Sequence, residues 1–422
     1  MMMKLLFLIA LFGCVVNSIR INNDNGLSFQ SNCLGGSIQI AESIPLALNL
    51  QSNLSTHDAW MELITNAKKS IDMGIFYMTL TDGGQLDPVY GGQLGLDIYK
   101  ALVDANSRGV SIRIVQNQPS SSMPDTDTQN LAKLGVQVRS INWPSLVGAG
   151  ILHTKVIVVD QVSAYLGSAN LDWRSLAQVK ELGVLFQNCP SMVSDTEIAF
   201  QQYWDAAVVT ELPSDWGVQY QAAYNQTNMA SLLLNGNEKF EMFLAVSPPQ
   251  FVSTDRTGDI DALVSAMNGA TKTICISVMD YIPASLYNSP NTFWPVMDNA
   301  LRAAAYNRGV QVRMLISHWN HTNYAIPQWL HSLDQVNNID VRWFVVPDFP
   351  NEPQVPFTRV NHAKYMVTDE QSYVGTSNWS EDYYTNTGGL SYNIYNDEFT
   401  SQLQSIFDRD WNSPYSFPVT TY

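Results

Sequence analysis

The chain has 422 residues, of which 45% are hydrophobic and 14% are charged, so it has the composition of a globular protein rather than a disordered one. Its formal net charge of −16 argues against a general nucleic-acid coat, although a local basic pocket remains compatible with it. This length is enough for two domains with their own cores, or for one large duplicated body.

The N-terminus has the pattern of a secretory signal peptide over residues 1–18. Lys4 supplies the positive region, residues 5–16 form a short apolar run, and residues 16–18 offer a small-residue cleavage site. A signal anchor, which is the alternative, needs roughly 18 or more apolar residues. We therefore expect a soluble mature protein in the secretory pathway, either secreted or in the endolysosomal lumen.

The next segment, residues 19–45, is polar and rich in glycine, and we expect it to form a leader along the surface. A first half follows over residues 46–214, in which apolar spacing predicts alternating helices and strands. The predicted helices are 58–69, 90–106, 128–134 and 194–208, and the predicted strands are 70–78, 110–116 and 136–141. This alternation predicts an α/β fold.

A polar motif lies on the next predicted strand of the first half, and a further strand is predicted after it at residues 182–186. His153, Lys155 and Asp160 have the spacing H-x-K-x4-D, and Gly167-Ser168-Ala169-Asn170 follows after a short gap. On a strand, His153 and Lys155 share one face. Lysine is rarely buried without a partner, so an anion such as a phosphate is the expected partner of Lys155.

The second half, residues 251–422, repeats this series after a connection over residues 215–250. Its motif contains His362, Lys364 and Asp369, and Gly375-Thr376-Ser377-Asn378 follows. Corresponding positions in the two halves are separated by a nearly constant 200 to 209 residues. A constant offset over this length indicates one duplicated βα unit rather than two chance motifs.

The doubled motif resembles the phospholipase D superfamily of phosphodiesterases. The stretches 167–175 and 375–380 are most similar to its endolysosomal, phospholipase-D-like subgroup, which includes 5′ single-strand exonucleases. The similarity extends from about Cys33 to Trp411. It implies a duplicated α-β-α layered fold, with two halves related by a pseudo-twofold axis and the active site at their seam.

The two motifs supply the groups needed for phosphodiester hydrolysis. One histidine can attack phosphorus while the other protonates the leaving oxygen. The resemblance assigns His153 as the nucleophile and His362 as the acid, and the residues themselves leave the opposite assignment open. The lysines, together with Asn170 and Asn378, would hold the phosphate oxygens. Ser168 and Thr376 would either donate hydroxyls to the phosphate or stabilise a turn.

The resemblance gives roles to three further carboxylates. It implies that Asp160 and Asp369 support the fold, and that a carboxylate beyond the asparagine orients one imidazole. Glu181 fits this position in the first half, whereas Gly389 occupies it in the second. The sequence leaves open which histidine Glu181 contacts.

We expect a chemistry without a metal or another cofactor. His318 and His321 lie close in sequence, but no carboxylate or cysteine completes a ligand set at metal-site spacing.

Three cysteines remain after Cys14 leaves with the signal peptide. Cys275 lies in an apolar strand and reads as a core thiol, so we expect a disulfide between Cys33 and Cys189. Glycosylation sequons occur at Asn53, Asn225 and Asn320, and a fourth at Asn378 is expected to be unused because a glycan there would block the site.

Three functions follow, in order of preference. The first is a phospholipase D that converts phosphatidylcholine to phosphatidic acid and choline. The second is a lumenal 5′-to-3′ exonuclease on single-stranded DNA or RNA, which needs a basic, aromatic-lined track. Such a track would have to use Arg302, Arg308, Arg313, Arg342 and Arg359. The third is a non-catalytic protein that binds lipid or glycan.

Overall fold

The computed structural model describes residues 33–86, 88–287 and 290–421. The predicted signal peptide and most of the predicted leader lie outside these ranges. The α-helices are α1 Thr56–Asn66, α2 Gly92–Ser107, α3 Thr126–Lys133, α4 Trp143–Val147, α5 Trp173–Ala177, α6 Pro190–Ala206, α7 Trp216–Gln219, α8 Asp259–Gly269, α9 Val296–Arg302, α10 Ile326–Asp334, α11 Glu381–Thr385 and α12 Asp397–Trp411. A π-helical turn, Ala303–Asn307, extends α9, and short 3₁₀ turns occupy Asp82–Gln85, Pro88–Tyr90, Pro249–Phe251 and Val419–Thr421.

The strands of the first half are β1 Ser37–Ser43, β2 Leu54–Ser55, β3 Ser70–Ile75, β4 Met78–Thr79, β5 Ser111–Asn117, β6 Gln137–Ile141, β7 Val156–Val159, β8 Ser163–Gly167, β9 Leu171–Asp172 and β10 Glu181–Gln187. Those that follow are β11 Ala230–Leu234, β12 Glu238–Ser247, β13 Thr257–Gly258, β14 Thr273–Val278, β15 Gln311–Ser317, β16 Ile339–Phe344, β17 Lys364–Thr368, β18 Ser372–Gly375, β19 Gly389–Tyr395 and β20 Ser416–Pro418.

The strands form two large sheets with the same core topology. The first has the order β2-β1-β10-β8-β7-β3-β5-β6, and the second has β11-β12-β19-β18-β17-β14-β15-β16-β20, with β13 beside β12. In each sheet three parallel strands are joined by an antiparallel strand that belongs to the motif: β7 against β3, and β17 against β14. The predicted duplicated α/β fold is therefore confirmed.

Local sequence explains why these elements form. In α1 the Ser55 hydroxyl accepts a hydrogen bond from the Asp58 N–H, which caps the helix. Trp60, Leu63 and Ile64 form the buried stripe of the same helix. The central strands β3 and β7 of the first sheet are buried on both faces, as expected of a sheet that is covered on both sides.

Both halves begin earlier than the sequence-based expectation, the first by one strand and the second by two, β11 and β12. Residues 37–43, expected in a surface leader, form β1, which pairs antiparallel with β10. Residues 238–247, expected in the connection, form β12, which pairs with β19 in the equivalent register. The duplicated unit thus begins with an antiparallel strand, which precedes the first helix of each half.

The halves share a core along their seam. The ring of Phe186 contacts that of Tyr392 with centroids 5.0 Å apart, and Trp143 stacks on Phe251 at 4.6 Å. A disulfide joins Cys33 to Cys189, the pair expected from the sequence, while Cys275 is a buried free thiol. Within the described ranges, we find no helix that combines the length and the apolar character required to cross a bilayer.

Candidate active site at the seam

Each motif histidine is held in place by the opposite half. The backbone N–H of His153 donates to the carbonyl of Gly388 at 2.9 Å, and the backbone N–H of His362 donates to the carbonyl of Lys180 at 2.7 Å. Both histidines lie in the extended segments that precede β7 and β17, rather than within the strands themselves. These reciprocal bonds bring the two imidazoles to one site, where the charge of His362 acts on His153.

The imidazole of His362 is paired with a carboxylate. Its Nδ1 lies 2.9 Å from both carboxylate oxygens of Glu181, which also accept hydrogen bonds from the hydroxyls of Ser168 and Ser175. Burial opposes the ionisation of Glu181, but His362, Lys364 and these hydrogen bonds hold its pKa below the ordinary value. Glu181 therefore fixes the proton of His362 on Nδ1 and favours the protonated ring.

The imidazole of His153 has a neutral partner instead. Its Nδ1 lies 3.1 Å from the carbonyl oxygen of Thr376, which can only accept, so Nδ1 carries the proton and Nε2 keeps its lone pair. Burial, Lys155 and Lys364 lower the pKa of His153 well below its ordinary value. His153 is therefore a neutral imidazole with a free nitrogen, as a nucleophile requires.

The two motif lysines are buried in equivalent positions. The Nζ of Lys155 donates to the carbonyl of His153, and the Nζ of Lys364 donates to that of His362, each at 2.5 Å. Burial lowers the pKa of both ammonium groups, that of Lys364 to about 7. Each ammonium has three donors and retains capacity for a phosphate oxygen.

The hydroxyls of Ser168 and Thr376 are used within the protein. Ser168 donates to Glu181 at 2.6 Å and accepts from the Leu182 N–H, and Thr376 accepts from the Leu390 N–H. These contacts match the stabilising role weighed from the sequence rather than phosphate binding. The Ser168 hydroxyl also links the turn to Glu181, the carboxylate that orients His362.

The two motif asparagines differ in their surroundings. The amide oxygens of Asn170 and Asn378 are buried, and neither has a hydrogen-bond partner in the described part of the chain. The Nδ2 of Asn378 donates to the Tyr383 hydroxyl at 3.2 Å and lies 3.4 Å from a carboxylate oxygen of Asp280. Asn170 has no equivalent carboxylate contact in the described structure.

Sequence reasoning missed several residues of the site. The rings of Phe76 and Tyr383 both contact that of His153, each with its centroid 5.1 Å away. Asp280, two residues beyond β14, is buried beside Asn378 and Lys364. All three occur in ordinary loop or helix sequence and are separated from the motif in the chain, so no local pattern pointed to them.

Asp160 and Asp369 lie outside the site and have structural partners. The carboxylate of Asp160 accepts from three consecutive backbone N–H groups, those of residues 68–70. Asp369 accepts from residues 271–273 in the same way. Each aspartate therefore fixes the turn between a helix and the first parallel strand of its half.

The four sequons differ in exposure. Asn53 and Asn320 are exposed, whereas Asn378 is 1% exposed inside the site. The Asn225 side chain is half-buried, and its amide oxygen accepts from the N–H groups of residues 227 and 228. His318 and His321 face a cleft beside the segment 345–359, separate from the motif histidines.

Residues 47–348 match the family model described as "PLD3/4, PLD-like domain". The chain belongs to this phospholipase-D-like family. It is 65% identical to phospholipase D Y of Dictyostelium discoideum over 438 residues, 99% of each chain. It is 41% identical to the 5′-3′ exonuclease PLD3 of Bos taurus over 391 residues, which cover 89% of this chain and 79% of that protein.

Among solved structures, phosphatidylserine synthase from Haemophilus influenzae shares the fold. The TM-score is 0.56 at 11% identity, over 86% of this chain and 85% of that one. The family membership makes this phospholipase-D-like protein an enzyme, a phosphodiesterase.

Proposed function

We propose that this enzyme hydrolyses its phosphodiester in two steps, with His153 as nucleophile and His362 as general acid and base. The observation that supports the assignment is the difference between the two Nδ1 partners. Glu181 carries a negative charge that stabilises a protonated His362, whereas the carbonyl of Thr376 leaves His153 neutral.

In the first step, Nε2 of His153 forms a bond to phosphorus, and the bond from phosphorus to the leaving oxygen breaks. That oxygen takes the proton from Nε2 of His362. In the second step, water gives a proton to the neutral His362 and attacks phosphorus, and the N–P bond breaks. Lys155, Lys364, Asn170 and Asn378 hold the phosphate oxygens, which carry more charge in each transition state.

The proposed substrate is a phospholipid, phosphatidylcholine, which would give phosphatidic acid and choline. Support comes from the relative named phospholipase D Y, which matches along 99% of both chains. The arginines considered for a nucleic-acid track support it too, because each contacts a protein acceptor: Arg302, Arg308, Arg313, Arg342 and Arg359. A zwitterionic head group does not require a free basic surface, whereas a polyanion does.

The second candidate is a 5′-to-3′ exonuclease on single-stranded DNA or RNA. One arrangement favours it: the exposed ring of Tyr287 lies 6.2 Å from Tyr383, which in turn contacts His153. Successive aromatic rings that lead to a catalytic centre suit stacked bases. Relatives that are named 5′-3′ exonuclease PLD3 are compatible with this candidate.

We further propose that the protein acts in the secretory pathway, either secreted or in the endolysosomal lumen. Burial lowers the pKa of His362 even though Glu181 opposes the shift, so the protonated general acid becomes more populated as the pH falls. An acidic lumen would therefore favour the first step.

The test is a parallel assay of the purified protein at pH 5 and pH 7, with chelator present. The substrates are phosphatidylcholine vesicles and a 5′-hydroxyl single-stranded oligonucleotide, and the controls are His153→Ala and His362→Ala. Choline release that both variants lose supports the phospholipase. Stepwise shortening of the oligonucleotide with untouched lipid supports the exonuclease instead. Samples quenched in alkaline denaturant, in which the acid-labile N–P bond survives, should carry the phosphoryl group of the substrate on His153, and its presence on His362 would reverse the assignment.

A further inference from the structure

Asp280 is a carboxylate placed where the proposed phosphate binds. It is 6% exposed, its Oδ2 lies 3.4 Å from Nδ2 of Asn378, and its own carbonyl accepts from the Trp379 N–H. The backbone bond holds it against the turn that carries Asn378. Its position two residues beyond β14 corresponds to that of Tyr77 after β3, so only one of the two corresponding positions is a carboxylate.

The titratable groups that act on Asp280 come from three surrounding elements. Lys364, at the start of β17, attracts the charged carboxylate. Tyr383 on α11 and Tyr287 in the loop after β14 feel its charge as well, and burial together with the neighbouring charges raises the pKa of Tyr383. The cation among these groups, Lys364, is also a proposed phosphate ligand.

We propose that Asp280 sets the affinity of the site for its phosphodiester, which binds when Asp280 is uncharged and is repelled when Asp280 is ionised. This inference rests on the proposed function, because it takes Lys364 and Asn378 as ligands of the phosphate. The ionised carboxylate and the phosphate would compete for the same ammonium and the same amide. Two anions that share a buried cation repel one another with little screening by solvent.

Burial raises the pKa of Asp280 to about 6, although Lys364 opposes the shift. At pH 5 the carboxyl is mostly neutral, whereas at pH 7.5 the ratio of ionised to neutral forms is about 30. The KM should therefore rise as the pH increases above 6. His362, the proposed general acid, acts after the substrate has bound. Its titration should therefore change kcat more than KM.

Lys364 contributes in the opposite direction. Its pKa of about 7 is lowered by burial and raised by Glu181 and Asp280, so it gives up its proton more readily once the Asp280 charge is removed. This loss reduces the gain in affinity expected from neutralising Asp280. We therefore expect about a tenfold effect on KM at pH 7.5 rather than the full factor of about 30.

The test variant is Asp280→Asn in the full chain, because asparagine keeps the shape of the side chain without its charge. The probe is bis(p-nitrophenyl) phosphate, a small phosphodiester that is neither a lipid nor a nucleic acid, assayed from pH 4.5 to pH 8. We expect the variant KM to be about tenfold below that of the unaltered protein at pH 7.5, and within about twofold of it at pH 5. If this variant does not fold, Asp280→Ser takes its place.

Asp259→Asn is a matched control. Asp259 is also buried, and burial raises its pKa to about 6, but it accepts from Tyr373 and Ser391 rather than from the site. Its replacement should leave the dependence of KM on pH unchanged. A similar change in both variants would mean that any buried carboxylate affects KM through stability, which would overturn the proposal.

The remaining outcomes are distinguishable. Superimposed KM profiles for Asp280→Asn and the unaltered protein would refute the inference, as would a higher KM of the variant above pH 6. The latter would show that Asp280 serves to keep Lys364 charged. If the protein turns over no phosphodiester, this result refutes the proposed function without testing the role of Asp280. Calorimetric binding of inorganic phosphate at pH 5 and pH 7.5 then tests the inference, and equal affinities of the two proteins at each pH would refute it.

Discussion

The charge of Glu181 is the feature on which the proposed division of labour depends. Glu181→Gln preserves the size of the side chain and removes the charge. The replacement also introduces an N–H2 group where His362, Ser168 and Ser175 all approach with donors. His362 would then have no carboxylate to stabilise its protonated form, and we expect its pKa to fall further.

The magnitude follows from the geometry. A unit charge about 4 Å away contributes roughly 4 kcal/mol at the effective dielectric of a partly buried site. A hydrogen bond to a charged group contributes about 1.5–3 kcal/mol. These contributions overlap, so the step in which His362 carries the proton should lose about 2–4 kcal/mol. We therefore expect kcat to fall about 30- to 1000-fold.

The assay compares two leaving groups. p-Nitrophenolate departs without much help from an acid, whereas the alcohol of a natural phosphodiester needs protonation. Glu181→Gln should therefore impair natural-substrate turnover more than that of bis(p-nitrophenyl) phosphate, and Asp259→Asn should impair neither. Equal losses with both leaving groups would refute His362 as the general acid, and an unchanged kcat would refute a catalytic role for the charge of Glu181.

Three further predictions concern stability. Arg256 and Asp195 form a fully buried pair between the halves, so Arg256→Met should lower the free energy of unfolding by about 3–5 kcal/mol in urea titrations; an unchanged midpoint would contradict this. The disulfide spans 156 residues, and Cys33→Ser should remove about 2–5 kcal/mol, measured in the same way against Cys275→Ser. Burial disfavours the charge of Asp369, but hydrogen bonds from residues 271–273 outweigh it and lower the pKa of this carboxyl to about 2. The contribution of Asp369 to the free energy of unfolding is therefore complete above the unfolded pKa of about 4 and is lost as the pH falls towards 2. Asp369→Asn should remove this part of the acid sensitivity, and acid-titration curves that remain identical would contradict it.

The repeated motif made the fold and the centre of the site predictable. His153 and His362 each occur with a lysine two residues later, and a constant offset separates the copies. The strand β1 was missed because its pattern is mixed: Ile38 and Ile40 alternate with polar residues, and the strand then continues through the buried Glu42. Glu42 pairs with Arg409, which lies 367 residues away, so no local pattern could show why a carboxylate is buried there.

The inequality of the two histidines corresponds to one position at which the two halves differ. Glu181 and Gly389 both begin the strand that follows the asparagine turn, and both pair with a serine of the neighbouring strand. A Cβ at Gly389 would lie 2.8 Å from Oγ of Ser247 and even closer to that of Ser377, so a carboxylate could occupy this position only if both serine side chains moved. The second copy therefore offers His153 only the carbonyl of Thr376, which keeps its imidazole neutral. One crowded glycine thus accounts for the difference between the proposed nucleophile and the proposed acid, although the two motifs around them are nearly identical.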